Sequence, residues 1–142
     1  MLKLLIAVDG SEHAGRAIAA AGRLAREVSQ TEAVLLNVRE QPVYYGELPV
    51  FDFETVEQAL RSSQDKLLEE ALAQARACGM QQVATLGVEG VAASEIARLA
   101  AEHAVDQIVM GTHGRNALAG LLMGSVTQRV VHLAGVPVLL VK

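Results

Sequence analysis

Aliphatic runs and helical stripes alternate along the whole chain. "KLLIAV" (3–8) is a continuous apolar run, the pattern of a parallel strand covered on both faces. Residues 12–29 repeat Ala14, Ile18, Ala21, Ala25 and Val28 at helical spacing, with Ser11 placed to cap the first turn. "AVLLNV" (33–38) reads as a second buried strand. Over 54–78, Leu60, Leu67, Ala71 and Leu72 make one apolar face, and Gly79 ends the helix. "QVATLGV" (82–88) is a weaker strand, Ile96, Leu99 and Ala100 mark a third helix, and "DQIVMG" (106–111) is a fourth strand. A last helix is predicted over 125–134, where Ser125 and Gln128 form a capping-box pattern and Gly135 and Pro137 stop the helix. "VPVLLV" (136–141) is the final strand.

The order is β-α-β-α-β-α-β-α-β. Right-handed crossovers turn it into a doubly wound parallel sheet of five strands, order 3-2-1-4-5, with helices on both faces. The fold class is therefore α/β and Rossmann-like, with one domain over 1–142, and no internal repeat or low-complexity segment breaks the series. The irregular stretch is 40–53, "EQPVYYGELPVFDF", which carries two of the three prolines and all four aromatic residues. Aromatics gathered in a loop suggest a lid or a partner-facing surface. A loop that pins its own rings onto the sheet edge is the other reading.

Composition narrows the function classes. Apolar residues are 51% of the chain but aromatics only 3%, so the core must be aliphatic. No apolar run approaches the length of a membrane span, and "MLKLLIAVDG" is too short for a signal peptide, so no membrane insertion is expected. The lone Cys78 fits a reducing cytoplasm and reads as a buried small hydrophobe. The formal net charge is −4, and the twelve basic residues are scattered, which argues against nucleic acid as a partner. An anionic ligand would have to be held locally, by a few donors.

Such donors are available in "MGTHGRNALAGLLMGSVTQ" (110–128), which places four glycines directly after the fourth strand. In open α/β sheets, ligands bind beyond the carboxyl ends of the strands, where the strand order reverses. Here that crevice lies between the first and fourth strands, where Val8, Asp9 and Gly10 meet Met110, Gly111 and the glycine-rich stretch. Bare glycines let main-chain N–H groups approach phosphate oxygens, and a helix N-terminus adds partial positive charge. Gly124 and Ser125 open the last helix, so the Ser125 hydroxyl and the amides of Ser125 and Val126 are candidate oxyanion donors. Asp9 suits a ribose or base better than a phosphate, because like charges repel. Taken singly, Gly111 is a strand exit, Gly114 a turn and Ser125 a cap. Their convergence at the switch point favours a ligand.

The spacing Gly111, two residues, Gly114, nine residues, Gly124-Ser125 resembles the G-x2-G-x9-G-S/T motif of the universal stress protein family. "LLIAVDGSE", "LLNV" and "GVPVLLVK" are similar to that family's first strand, second strand and ending, so the resemblance covers the whole chain. It implies the adenine nucleotide alpha hydrolase-like branch of the fold and an ATP-binding member, with ADP or AMP as alternative ligands. Carried over by position, Ala7, Val8 and Asp9 would flank the adenosine, and Val38 would meet the adenine through its main chain. Met110, Gly111, His113, Gly114 and Arg115 would line the ribose and phosphates, and Gly124, Ser125, Val126 and Thr127 would close over the phosphates. Ala7 departs from relatives that carry proline there. The resemblance also implies a homodimer through Val136 to Val141, which in the predicted order form an apolar sheet edge.

Other polar residues carry less. His113 is a candidate phosphate contact or a solvent-facing ring, and His103 reads as a partly buried structural residue on the third helix. His13 and His132 have no partners at ligand spacing, so no protein metal site is expected. Magnesium or manganese would arrive with the phosphates. The function expected is a cytoplasmic ATP-binding regulatory protein of the stress response, acting with a protein partner. The competing class is a slow ATP hydrolase or phosphoryl-transfer enzyme, but GxxxxGKS/T is absent and no base stands ready to activate water. A phosphoacceptor receiver would need paired acids after the first strand and an Asp after the third. An ATP pyrophosphatase-type loop would read SGGxDS where this chain has "DGSEHA".

Overall fold

The computed structural model describes residues 1–41, 52–114 and 123–142. Its elements are β1 (Leu2–Ala7), α1 (Glu12–Glu27), β2 (Thr31–Arg39), α2 (Phe53–Ala77), β3 (Gln82–Glu89), α3 (Ala92–Glu102), β4 (Gln107–Gly111), α4 (Ser125–Leu133) and β5 (Val138–Val141). The strands form one parallel sheet in the order β3-β2-β1-β4-β5, the order expected from the alternation of elements. Among the described residues no helix is long and apolar enough to cross a membrane.

The core has two aliphatic layers. Leu4, Ile6, Val8, Leu35 and Val109 face α1 and α2, where they meet Ala17, Ile18, Ala21, Leu68, Ala71 and Ala75. Leu5, Leu36, Ile108 and Met110 face the other way, toward Ile96, Leu99, Ala100 and Val130. Alanine is frequent because α1 and α2 pack closely. A Cβ built on Gly22 would lie 2.7 Å from Cys78 Cβ. Cys78 is therefore pinned against α1, and it is half-buried rather than fully enclosed.

The helix ends follow local chemistry. Ser11 Oγ accepts the Ala14 N–H at 3.2 Å, and Asp52 caps α2 by accepting from Glu54 and Thr55. At the end of α2, Gly79 takes a positive φ of 94° while Met80 N–H reaches back to Ala75 O, a left-handed termination that favours glycine. Three expectations need correction. Ser125 is not a cap: Gly124 occupies that position and has no side chain to accept from the first turn of α4, so the capping box does not form. His103 is exposed and ends α3, because the helix stops there and Ala104 turns into the left-handed region. β5 begins at Val138, since Pro137 lacks an N–H for the ladder; its carbonyl still accepts from Ile108 N–H at 3.0 Å.

Candidate functional site: the crevice at the strand reversal

β1 lies between β2 and β4, so the chain leaves β1 and β4 in opposite directions and opens a crevice at their carboxyl ends. The exit of β4 packs hard against the start of α1. A Cβ on Gly111 would lie 2.6 Å from His13 Cβ and 2.9 Å from its backbone carbon. A Cβ on Gly114 would lie 2.6 Å from Asp9 Oδ2. The backbone of His13 thus requires glycine at 111, whereas at 114 only the end of the Asp9 side chain would have to move. Asp9 turns its other oxygen back to accept the Ser11 N–H at 2.9 Å, which orients the carboxylate across the crevice.

Gly124 is different. Its backbone is ordinary, at φ −68° and ψ 160°, and a Cβ there would meet only ordinary contacts of 3.5–3.7 Å from His113, Thr112 and Gly114. Neither conformation nor packing among the described residues demands glycine. As the N-cap of α4, Gly124 supplies no side chain to the first amides of the helix. The segment is held from behind: Gly124 N–H donates to Thr112 O at 2.8 Å, and the buried Thr127 hydroxyl donates to Gly111 O at 3.0 Å. Ser125 and Val126 are exposed at the helix start.

Thr112 Oγ1 lies 3.1 Å from His113 Nδ1, and the His113 ring centroid is 5.2 Å from that of His13. His13 was not expected at the crevice; its place in the first turn of α1, beside Gly111, brings it there. Ala7 and Val38 border the strand ends, and Met110 is buried beneath them against α3 and α4. Arg115 and most of the aromatic loop, residues 42–51, lie outside the described residues. The structure therefore brings together Val8, Asp9, Gly111, His113, Gly114, Gly124 and Thr127, with Ala7, Val38, Met110, Ser125 and Val126 at its borders.

On the other side of Asp9, between α1 and α2, a cleft of about 600 Å³ opens where the helices diverge. Of the residues expected at the crevice from sequence, Val8, Asp9 and Gly10 line it. At its base Gln64, 9% exposed, shares its Nε2 hydrogens among Asn37 O, Asn37 Oδ1 and Val88 O at 3.0–3.1 Å. Asn37 Nδ2 in turn donates to Val8 O at 2.7 Å. Nearby, Arg39 pairs with Glu57 and Glu89, both at 3.0 Å. The hydrogen bond from Arg39 holds the Glu57 carboxyl below the usual carboxylate range, and the same bond raises Arg39 against its burial. Arg39 Nε is buried without a partner among the described residues. The legible signal for Gln64 was a polar residue four after Leu60 and four before Leu68, interrupting the apolar stripe of α2.

Among the described residues, no three His, Cys, Asp or Glu side chains gather into a metal site. The family model for the universal stress protein family matches residues 1–142. Universal stress protein YxiE of Bacillus subtilis is 34% identical over 147 residues, covering 99% of this chain and 98% of its own. A universal stress protein of Thermus aquaticus is 37% identical over 139 residues, covering 98% and 97%. The solved structure of protein MJ0577 from Methanocaldococcus jannaschii superposes with a TM-score of 0.74 at 29% identity, over 99% of this chain and 95% of that one. A universal stress protein in complex with cAMP reaches 0.76 at 23% identity, over 99% and 97%. An Arabidopsis thaliana member with AMP bound reaches 0.70 at 18% identity, over 100% and 92%; both speak to the shared fold.

Proposed function

The chain belongs to the universal stress protein family, and from that premise we propose that it binds an adenine nucleotide in the crevice between β1 and β4. The physiological ligand in this reading is ATP, with ADP and AMP competing for the same place. The observation that carries it is Gly124: a glycine that neither its backbone nor its described neighbours require, placed at the N-cap of a helix start where it supplies no capping side chain. Phosphate oxygens would take the α4 amides around Ser125, Val126 and Thr127, with Gly111, His113, Gly114 and Arg115 beside them. The ribose would face Asp9, whose charge keeps phosphate away, and the base would extend over Ala7, Val8, Val38 and Met110. Magnesium or manganese would enter on the phosphates, which such ions commonly use in place of many side chains. Relatives of the same fold carry cAMP and AMP, which agrees in ligand chemistry.

In this reading one nucleotide-binding domain spans the chain and acts in the cytoplasm as a dimeric, nucleotide-dependent module of the stress response, with a protein partner downstream. The dimer would form along β5. This edge strand is aliphatic from Val138 to Val141, and two copies pairing antiparallel would satisfy both open edges. Mass spectrometry of the nucleotide that co-purifies with native protein tests the ligand, followed by calorimetry with ATP, ADP and AMP. A protein that arrives empty and binds none of the three at millimolar concentration would refute the reading.

A further inference from the structure

We propose that His13 and His113 are the protein ligands of a transition-metal site at the crevice, suited to zinc or a similar divalent ion. Spacing along the sequence offers His13 no partner, because His113 lies far down the chain. The parallel pairing of β1 with β4 makes them neighbours. His13 stands in the first turn of α1, and bare Gly111 at the end of β4 lets it approach more closely than a side chain at 111 would allow. The two imidazole rings come together with centroids 5.2 Å apart and planes inclined at 57°.

An imidazole nitrogen ligates zinc at about 2.0–2.1 Å, which puts the ring centre about 3.2 Å from the ion. Two such rings at the tetrahedral angle have centres about 5.2 Å apart. The observed separation matches that of two rings sharing one tetrahedral ion. Rings that merely pack accept a wider range, about 4.5–7 Å. Other features favour the ion. Thr112 Oγ1 lies 3.1 Å from His113 Nδ1. In the tautomer that donates Nδ1–H to this hydroxyl the lone pair is on Nε2, and such an oxygen partner is the usual support of a ligating histidine. The His13 ring makes no hydrogen bond among the described residues, and both rings are half-buried, within reach of a dissolved ion. Asp9 Oδ2 comes within 2.6 Å of where a Cβ on Gly114 would stand, so negative charge borders His113.

Imidazole suits zinc, copper and nickel, whereas magnesium takes oxygen ligands in octahedral geometry. Two protein nitrogens leave the rest of the tetrahedron to water. A Cβ on Gly124 would lie 3.5 Å from His113 Cα, so the phosphates placed there above would meet the ion and replace that water. The His pair does not depend on the nucleotide reading; only this last step does.

The test titrates the metal-free chain, without nucleotide, with Co2+, whose visible spectrum reports tetrahedral coordination. Wild type is expected to take up about one equivalent with that spectrum. His13→Phe keeps a ring against Gly111, removes the nitrogens and is expected to bind about tenfold or more weakly. Should His13→Phe fail to fold, wild type answers alone. Acylation by diethyl pyrocarbonate, read by mass spectrometry, should then be suppressed at His13 and His113 but not at His103 or His132 by about one equivalent of Zn2+. Mg2+ should protect none of them. Three results overturn the site and leave a packed pair of rings: no tetrahedral Co2+ spectrum in wild type, a folded His13→Phe that binds as well, or Zn2+ protection that is absent or equal at all four histidines. With no nucleotide present, such a result leaves the nucleotide reading standing. Metal uptake by a chain that takes no nucleotide in calorimetry retires that reading and keeps the site.

Discussion

Substitution of Gly124 separates a ligand cradle from a structural turn. Gly124→Ala adds a Cβ whose nearest atoms among the described residues are 3.5–3.7 Å away, an ordinary contact distance, on a backbone that any residue adopts. The fold therefore has no reason to object. The N-cap preference of glycine over alanine limits the stability change to about 1 kcal/mol. Gly124→Val extends the obstruction further in front of the first α4 amides. If those amides hold phosphate, at least one charge-assisted hydrogen bond is lost, worth roughly 1.5–3 kcal/mol, or about a tenfold to hundredfold drop in ATP affinity. Calorimetry at fixed salt gives the affinity, and denaturant unfolding of the same samples gives the stability. Valine should exceed alanine in its effect on binding, with little effect on unfolding in either. Gly114→Ala cannot make this distinction, since its Cβ would lie 2.6 Å from Asp9 Oδ2 and displace a carboxylate that itself lines the crevice. A folded Gly124→Val that binds ATP as wild type does would refute the cradle.

Thr127→Val preserves shape but removes the hydroxyl that bonds Gly111 O at a 2% exposed position, so unfolding free energy should drop by about 1–3 kcal/mol; no change in a urea melt would show that the hydroxyl is dispensable. The lowered Glu57 pKa means that its bond to Arg39 contributes stability above the ordinary glutamate value of about 4.3, a contribution lost as pH falls through the lower native value. Wild type should therefore lose more stability than Glu57→Gln between about pH 6 and 3, and parallel curves would contradict the sign. Pro137 O accepts from Ile108 in β4 and Val141 O from Thr112 just after it, so alternation along β5 turns Leu139 inward to the ladder and Leu140 outward. Leu140→Pro should yield a folded monomer by light scattering and Leu139→Pro a destabilised chain, while a monomeric wild type at micromolar concentration would sink the β5 dimer.

The architecture was legible because each element carries its own period and its own stop. Ser11, Gly79 and Pro137 mark boundaries that the structure keeps within a residue or two. The crevice was legible for a related reason: strand order alone says where two loops diverge. The details that were misread all depend on competition. Ser125 has the side chain of a cap, but Gly124 takes the capping position and has no side chain to cap with. His103 falls in phase with the apolar stripe of α3, yet the helix ends on it and the side chain faces solvent. Nothing local in "LLNVR" announces that Asn37 bonds Val8 O or that Arg39 joins Glu57 to Glu89. Those contacts join β2 to residues from β1, α2 and β3, and only the folded sheet brings them together.

The close approaches at Gly111 and Gly114 bear on how such a chain can be recombined. Each bare position is matched to one feature far away in sequence, Gly111 to His13 and Gly114 to Asp9. The turn after β1 and the exit of β4 thus behave as a single inherited block, although about a hundred residues separate them. A chimaera that takes its first third from one relative and its last third from another would split that block. The donor turn would then arrive without the side chains that its partner's glycines make room for. Grafting the glycine loop onto another sheet would succeed only with residues 9–13 transplanted alongside it.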